Sequence, residues 1–192
     1  MILEDVVVLS IAKPVNLSDG RISKCVIGYS NDLKELIRLY PTYHKSKKVV
    51  VGNILKLSVI RGDSRDYSFK LDNSKNLKRA DRKIKVVGQL NWFNLRQLLN
   101  DLPKTTVKEL NETKKSMGII IPTKHEIRRK KGKPFLNYYD GKEHSQQILD
   151  NNFNTETYTN DNLALIVGNH HAYRNAFMVI SAIPTEIQRM EE

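Results

Sequence analysis

Short β-branched segments, separated by turn-forming residues, constrain the fold of this chain more than any other feature. Asp19–Gly20, Pro41 and the Arg-Gly-Asp triplet at 61–63 mark breaks between them. Short strands at such regular spacing are typical of a small barrel or sandwich. The segments are 5–12 (DVVVLSIA), 21–30 (RISKCVIGYS), 35–40 (ELIRLY), 49–60 (VVVGNILKLSVI) and 67–71 (YSFKL).

A helical insertion and a second group of strands follow. Asn91 can cap a helix over 92–102, because apolar residues recur there at helical spacing, and Pro103 ends it. We predict a loop over 140–162. Together, these segments predict a mainly β fold of barrel-like modules with a short helical insertion. The predicted later strands are 117–121, 124–133, 135–139, 163–167 and 177–183.

The segment 72–85 (DNSKNLKRADRKIK) is the most polar and basic connection in the sequence. Its composition predicts a linker or basic loop between two modules. On this basis the chain divides into an N-terminal barrel-like module at 1–71 and a second module at 86–192, which contains the helical insertion and the C-terminal strands.

Positive charge is unevenly distributed along the chain, whose formal net charge is +11. Residues 1–133 carry 29 Lys and Arg against 13 Asp and Glu, whereas 134–192 carry 3 against 8. This asymmetry predicts a basic face that attracts polyanions. The single cysteine, Cys25, excludes an intramolecular disulfide and fits a reducing compartment, so we expect a cytoplasmic location. No apolar stretch approaches the roughly 20 residues that cross a bilayer, so we expect no membrane insertion.

Clustered basic residues predict binding to a nucleic-acid backbone, because Lys and Arg replace the counterions that condense on phosphates. Aromatic residues between the charges can stack unpaired bases, and Tyr43, in a polar loop, is the best candidate. The alternative for each cluster is a solvated loop, and for most aromatics it is core packing. The candidate binding residues are Arg21, Lys24, Arg38, Tyr43, Lys45, Lys47, Lys48, Lys75, Lys78, Arg79, Arg82, Lys83, Lys85, Arg128, Arg129, Lys130, Lys131 and Lys133.

Five stretches carry short motifs: Val6–Ala12, Cys25–Gly28, Ile37–Pro41, Gly52–Ile54 and Ser116–Pro122. These motifs resemble those of a prokaryotic family whose members contain a dual oligonucleotide-binding (OB) fold domain. Arg38 departs from the family pattern, since Leu-Tyr-Pro follows it instead of an immediate proline. The resemblance implies two OB-like β-barrel modules and binding to single-stranded DNA or RNA, and it implies no catalytic residue.

Two other functions stay open from the sequence. Asp101, Glu112 and Lys114 have the spacing of a metal-dependent nuclease site, which needs two carboxylates holding Mg²⁺ and a lysine near the attacking water. The acidic last third could instead dock on a protein partner within a nucleoprotein complex. The sequence contains no Gly-rich phosphate loop, and the adjacent His170 and His171 lack a zinc-ligand set, so we predict no cofactor, no metal and no catalysis.

Overall fold

The computed structural model describes residues 1–12, 14–16, 20, 22–43, 49–61, 75–80, 84–149, 162–169 and 177–185. The fold is mainly β, with three sheets and two short helices, which confirms the predicted fold class. Within the described ranges, no helix is long and apolar enough to cross a membrane. The predicted strand at 67–71 and the His170–His171 pair lie outside the described residues.

The first sheet closes into a barrel. β1 pairs with both β3 and β5, β3 pairs with β4, and β4 pairs in parallel with β6. β6 and β7 pair with different parts of β5, so the two together take the place of the fifth strand of the barrel. This closed five-stranded path is that of an OB barrel. The strands are β1 (Ile2–Ile11), β2 (Val15–Asn16), β3 (Ile22–Ser30), β4 (Glu35–Tyr43), β5 (Asn53–Arg61), β6 (Lys75–Arg79) and β7 (Lys85–Gln89).

The second half has a similar strand order, divided between two three-stranded sheets. β8 pairs with β12, β12 with β13, β9 with β10, and β10 with β11. β8 and β9 are two parts of one first strand bent at Pro122, and the backbone N of Leu149 donates to the carbonyl of Val179 at 3.0 Å, which links the two sheets. The second half is therefore also an OB-like barrel. Its strands are β8 (Met117–Ile120), β9 (Lys124–Lys130), β10 (Lys133–Tyr139), β11 (Glu143–Gln147), β12 (Leu163–Asn169) and β13 (Phe177–Pro184).

Two helices connect the barrels, and both begin at side-chain caps. The Asn91 side chain accepts a hydrogen bond from the backbone N of Asn94 at 2.8 Å, which confirms the predicted cap and begins α1 (Trp92–Asp101). Thr106 caps α2 (Val107–Glu112) in a reciprocal capping box with Glu109.

Side-chain alternation explains how the barrels join. In β1, Val6 and Val8 point into the first barrel, while Val7 and Leu9 point outward. In β12, Leu165 points into the second barrel and its neighbours on the strand point outward. The outward residues of both strands form one apolar cluster between the barrels, with α1 packed against it. Its buried members are Val7, Leu9, Ile27, Leu95, Leu99, Leu102, Met117, Ile119, Ala164, Ile166, Ile180 and Ile183.

The structure corrects the predicted linker and the predicted loop. The segment 72–85 contains β6, which pairs with β4 and β5, so the first sheet extends to Gln89 and the connection between the barrels begins after it. Within 140–162, β11 is a strand despite its polar sequence. Backbone pairing sustains both strands, and a basic or polar composition does not reveal it.

Candidate nucleic-acid interface

The sheet formed by β9, β10 and β11 has one face in the second barrel's core and the other toward solvent. Leu136 is opposite Ile127, and Tyr138 is opposite His125. These two pairs lie on the face that packs in the core of the second barrel. Because successive residues of a strand point to opposite faces, the alternate pairs form the outer face. These pairs are Phe135 with Arg128, Asn137 with Glu126, and Tyr139 with Lys124. We call this surface the outer face of the second barrel.

Two aromatic residues lie on this outer face. Tyr139 is 41% exposed and Phe135 is half-buried. They are four residues apart on one strand, which separates them by about 13 Å. The Nζ atom of Lys130 lies 5.6 Å from the centroid of the Phe135 ring, a cation–π contact. The face therefore offers two flat apolar surfaces with a cation beside one of them.

The turn of the β9–β10 hairpin concentrates positive charge next to these rings. Lys131 and Gly132 have φ values of 51° and 73°, which a two-residue hairpin turn of type I′ requires at both positions. Glu126 is the acidic residue of the hairpin, and it accepts a hydrogen bond from Asn137 Nδ2 at 3.0 Å. The exposed basic residues of the hairpin are Lys124, Arg128, Arg129, Lys130, Lys131 and Lys133. Of the five predicted binding residues of this hairpin, Arg128, Lys130 and Lys133 lie on the outer face and Lys131 lies in the turn. Arg129 is opposite Pro134 and has the other strand parity, so it points away from the outer face.

The neighbouring aromatic, Tyr138, belongs to the core. Its ring stacks on His144 with centroids 4.7 Å apart, and burial, with a smaller contribution from the charge of Asp140, raises the pKa of its hydroxyl. His144 Nε2 lies 2.7 Å from Asp140 Oδ1, and the other Asp140 oxygen accepts from the backbone N of Val107 at 2.7 Å. This hydrogen-bonded group holds α2 against the β10–β11 turn, so its role is structural.

Arg38 is not on a binding surface, which corrects its assignment from the sequence. It is 3% exposed, and its Nη2 donates a hydrogen bond of 2.6 Å to the carbonyl oxygen of Ser116. Ser116 directly precedes β8, so this bond joins the two barrels. A second buried bond of 2.9 Å between the hydroxyls of Ser10 and Ser181 does the same. Arg38 therefore connects the modules and cannot reach a ligand.

The other predicted binding residues are only partly described. Lys24 is half-buried on β3, and Lys85 is exposed on β7. Tyr43 ends β4, and Lys75, Lys78 and Arg79 lie in β6. Positions outside the described residues are Arg21, Lys45, Lys47, Lys48, Arg82 and Lys83.

The residues of the possible nuclease site lie on the two connecting helices. Asp101 ends α1, and Glu112 ends α2, where it lies 3.8 Å from Lys108 Nζ. Lys114 follows α2 in a turn with φ of 55°. The bent hairpin that such a site requires is therefore not the local structure here. Within the described part of the chain, no three His, Cys, Asp or Glu residues are grouped to hold a metal ion.

Two exposed aromatics were missed by sequence reasoning. Trp92 and Phe93 are 55% and 60% exposed, although helical periodicity assigned them to packing. Both precede the buried part of α1, where Leu95 and Leu99 contact the inter-barrel cluster. Their position at the first turn of the helix was the available signal, because the first turn can extend past the surface that the helix packs on.

No protein-family model matches the chain, and no curated protein sequence matches it either. Among solved structures it is similar to the Ifi202 HINa domain in complex with 20 bp dsDNA, at 9% identity and a TM-score of 0.42, with 88% of this chain and 86% of that one covered. It is also similar to the p204 HINb domain, at 13% identity and a TM-score of 0.37, with 91% of this chain and 90% of that one covered. A third similar structure is that of a murine DNA-binding protein bound with dsDNA, at 12% identity and a TM-score of 0.35, with 93% of this chain and 91% of that one covered. TM-scores this low establish no relationship, so the barrel assignment rests on the strand pairings.

Proposed function

We propose that this protein binds nucleic acid through the outer face of the second barrel and performs no chemistry on it. One observation carries the proposal: Phe135 and Tyr139 share a strand face with Arg128 and Lys130. OB barrels bind oligonucleotides on the face formed by their second and third strands, which here are β10 and β11. The aromatic rings stack bases, and the basic side chains neutralise phosphates.

Single strands are the preferred ligand in this proposal. A base can stack on a protein ring only when it is not already stacked within a duplex. About 13 Å between the two rings corresponds to four strand residues, so an extended single strand can place two separate bases on them. The proposal covers both DNA and RNA, because neither stacking nor phosphate neutralisation requires the 2′-hydroxyl.

The test is fluorescence anisotropy with labelled dT and rU oligonucleotides and a labelled DNA duplex, at two salt concentrations. Tyr139→Ala removes a stacking surface worth about 1 to 3 kcal/mol, so affinity for single strands should fall roughly 5- to 150-fold. The double variant Arg128→Glu/Lys130→Glu should also lower the dependence of affinity on salt, by about 0.7 in log–log slope for each phosphate that the protein no longer neutralises.

A charge-matched control separates local contacts from overall charge. Lys108→Glu/Lys115→Glu changes two exposed lysines on and after α2, which packs near Asp140 at the end of the β9–β10 hairpin opposite its 131–132 turn. We expect this control to retain most of the affinity. Equal losses in both double variants would mean that net charge, and not the outer face, determines binding. Tighter binding to duplex would contradict the single-strand preference, and cleavage of the substrate in Mg²⁺ would contradict the absence of chemistry.

A further inference from the structure

A second surface, on the first barrel, exposes several apolar side chains. Val86 and Val87 on β7 are 40% and 47% exposed, and Trp92 and Phe93 follow at the start of α1. The backbone N of Leu90 donates to the carbonyl of Gly52 at 2.8 Å, which fixes the short connection between β7 and α1. We call these four side chains the β7–α1 surface. The outer face of the second barrel does not include them.

β7 also has an available strand edge. It pairs with β5 along Asn53–Lys56, and no other strand that the structure describes pairs with it. A strand paired on one side presents N–H and C=O groups on the other, and an extended peptide can pair with them. Exposed valines and aromatics beside such an edge supply the apolar contacts that fix a peptide's side chains. The combination suits a polypeptide ligand better than a nucleic acid, which has no peptide groups to pair and gains no stacking from valine.

The charge around this surface indicates which kind of polypeptide it suits. In the described part of this segment, residues 84–100, there is no Asp or Glu, and the basic residues are Lys85 and Arg96. Lys85 is exposed at the beginning of β7 itself. A second copy of the chain would bring like charges together, because each copy carries a net charge of +11 and a basic β7 segment. The complementary ligand is an acidic segment with apolar residues at alternate positions.

We propose that the β7–α1 surface binds an acidic, extended segment of a partner protein by adding it as a strand to the edge of β7 on which no described strand pairs. The apolar side chains, which lie on one face of the added strand, contact Val87, Trp92 and Phe93. Its acidic side chains lie near Lys85. This site is separate from the proposed nucleic-acid interface, so the protein could hold both ligands together.

Trp92 is the only tryptophan in the chain, so intrinsic fluorescence reports directly on this surface. The probe is a capped synthetic peptide of alternating glutamate and valine, titrated into the full-length protein. We expect a saturable blue shift of the emission as the exposed indole becomes buried. A lysine–valine peptide and a glutamate–valine peptide with alternate N-methylated backbone amides should each bind at least tenfold more weakly, since the first has the wrong charge and the second cannot pair with a strand.

Two variants locate the effect. Val87→Glu should weaken binding of the glutamate–valine peptide at least tenfold, whereas Ile60→Glu, at an exposed apolar position of β5 beyond the β7 pairing, should not. Circular dichroism of both variants should match that of the parent chain. The Tyr139→Ala variant should bind the peptide normally, so a failure of the nucleic-acid proposal leaves this test intact.

Three results would overturn the proposal. One is a Trp92 emission that stays unchanged up to the solubility limit of the peptide. Another is equal binding of the N-methylated peptide, which would mean that strand addition is not involved. The third is quenching of Trp92 by a dT oligonucleotide without any response to the peptide, which would assign the surface to nucleic acid.

Discussion

Arg38 provides the sharpest contrast between a structural and a ligand-binding arginine. We expect Arg38→Met to destabilise the fold and leave nucleic-acid binding unchanged. The substitution keeps an unbranched apolar stem but removes the charged donor to the Ser116 carbonyl, a buried bond of 2.6 Å. A hydrogen bond to a charged group contributes about 1.5 to 3 kcal/mol, while the Ser116 carbonyl keeps the hydrogen bond that it accepts from the backbone N of Asn169 at 2.6 Å. We therefore expect the free energy of unfolding to fall by about 1.5 to 3 kcal/mol.

The assay is urea denaturation followed by circular dichroism. With a denaturant dependence of about 3 kcal/mol per molar, the expected loss moves the midpoint down by roughly 0.5 to 1 M. Arg128→Met is the matched control, because Arg128 is exposed on the outer face. Its midpoint should change little, since surface substitutions usually cost less than about 0.5 kcal/mol, while its affinity for single strands should fall. An Arg38→Met protein that unfolds at the parent's midpoint, or that loses as much affinity as Arg128→Met, would rule out a purely structural role for Arg38.

Three further predictions concern local structure. Asn91→Ala removes the cap of α1 and should cost about 1 kcal/mol in thermal unfolding, whereas Asn91→Asp should cost little. Gly118→Ala would place a Cβ atom 2.5 Å from Thr105 Cγ2, so overpacking should cost about 1 to 3 kcal/mol in urea denaturation, and Thr105→Ser should restore part of it. The pKa of Glu109 is lowered, mainly by the hydrogen bond that its carboxylate accepts from the backbone N of Thr106. The carboxylate therefore stabilises the fold above the unfolded pKa of about 4.3, and this stabilisation is lost as pH falls through the lower folded pKa. Glu109→Gln should therefore flatten the decline in stability below about pH 5, and an unchanged decline would contradict the capping role.

Much of the fold follows from local patterns in the sequence. β-Branched segments ended by turn residues predicted β1, β3, β5, β12 and β13, and Asn91 with Pro103 predicted α1 to within one residue. These elements bury an apolar face, so alternation or helical spacing is visible in the sequence. β6 and β11 lacked this signal, because β6 is mostly basic and β11 is polar on both faces. β6 is specified by pairing with β4 and β5, which are distant in the sequence, and β11 by pairing with the adjacent strand β10.

The candidate site was predicted less completely, for a related reason. The basic β9–β10 hairpin was identified from charge, but the sequence could not separate Tyr139, on the outer face, from the adjacent Tyr138 in the core. Strand alternation places them on opposite faces, and only the barrel determines which face is buried. Arg38 shows the same limit, since its burial depends on a second barrel that begins near Ser116. Long-range packing decides which charged residues remain on the surface.

The position of bound nucleic acid on the protein decides whether the outer face of the second barrel is the binding site. Ultraviolet cross-linking of a dT oligonucleotide to the full-length protein, followed by mass spectrometry of the digested complex, identifies the contacted residues. We predict cross-links at Phe135 and Tyr139, which disappear at a salt concentration of about 1 M because the phosphate contacts that hold the strand are screened. Cross-links confined to other surfaces, such as Trp92 on the first barrel, would contradict this assignment.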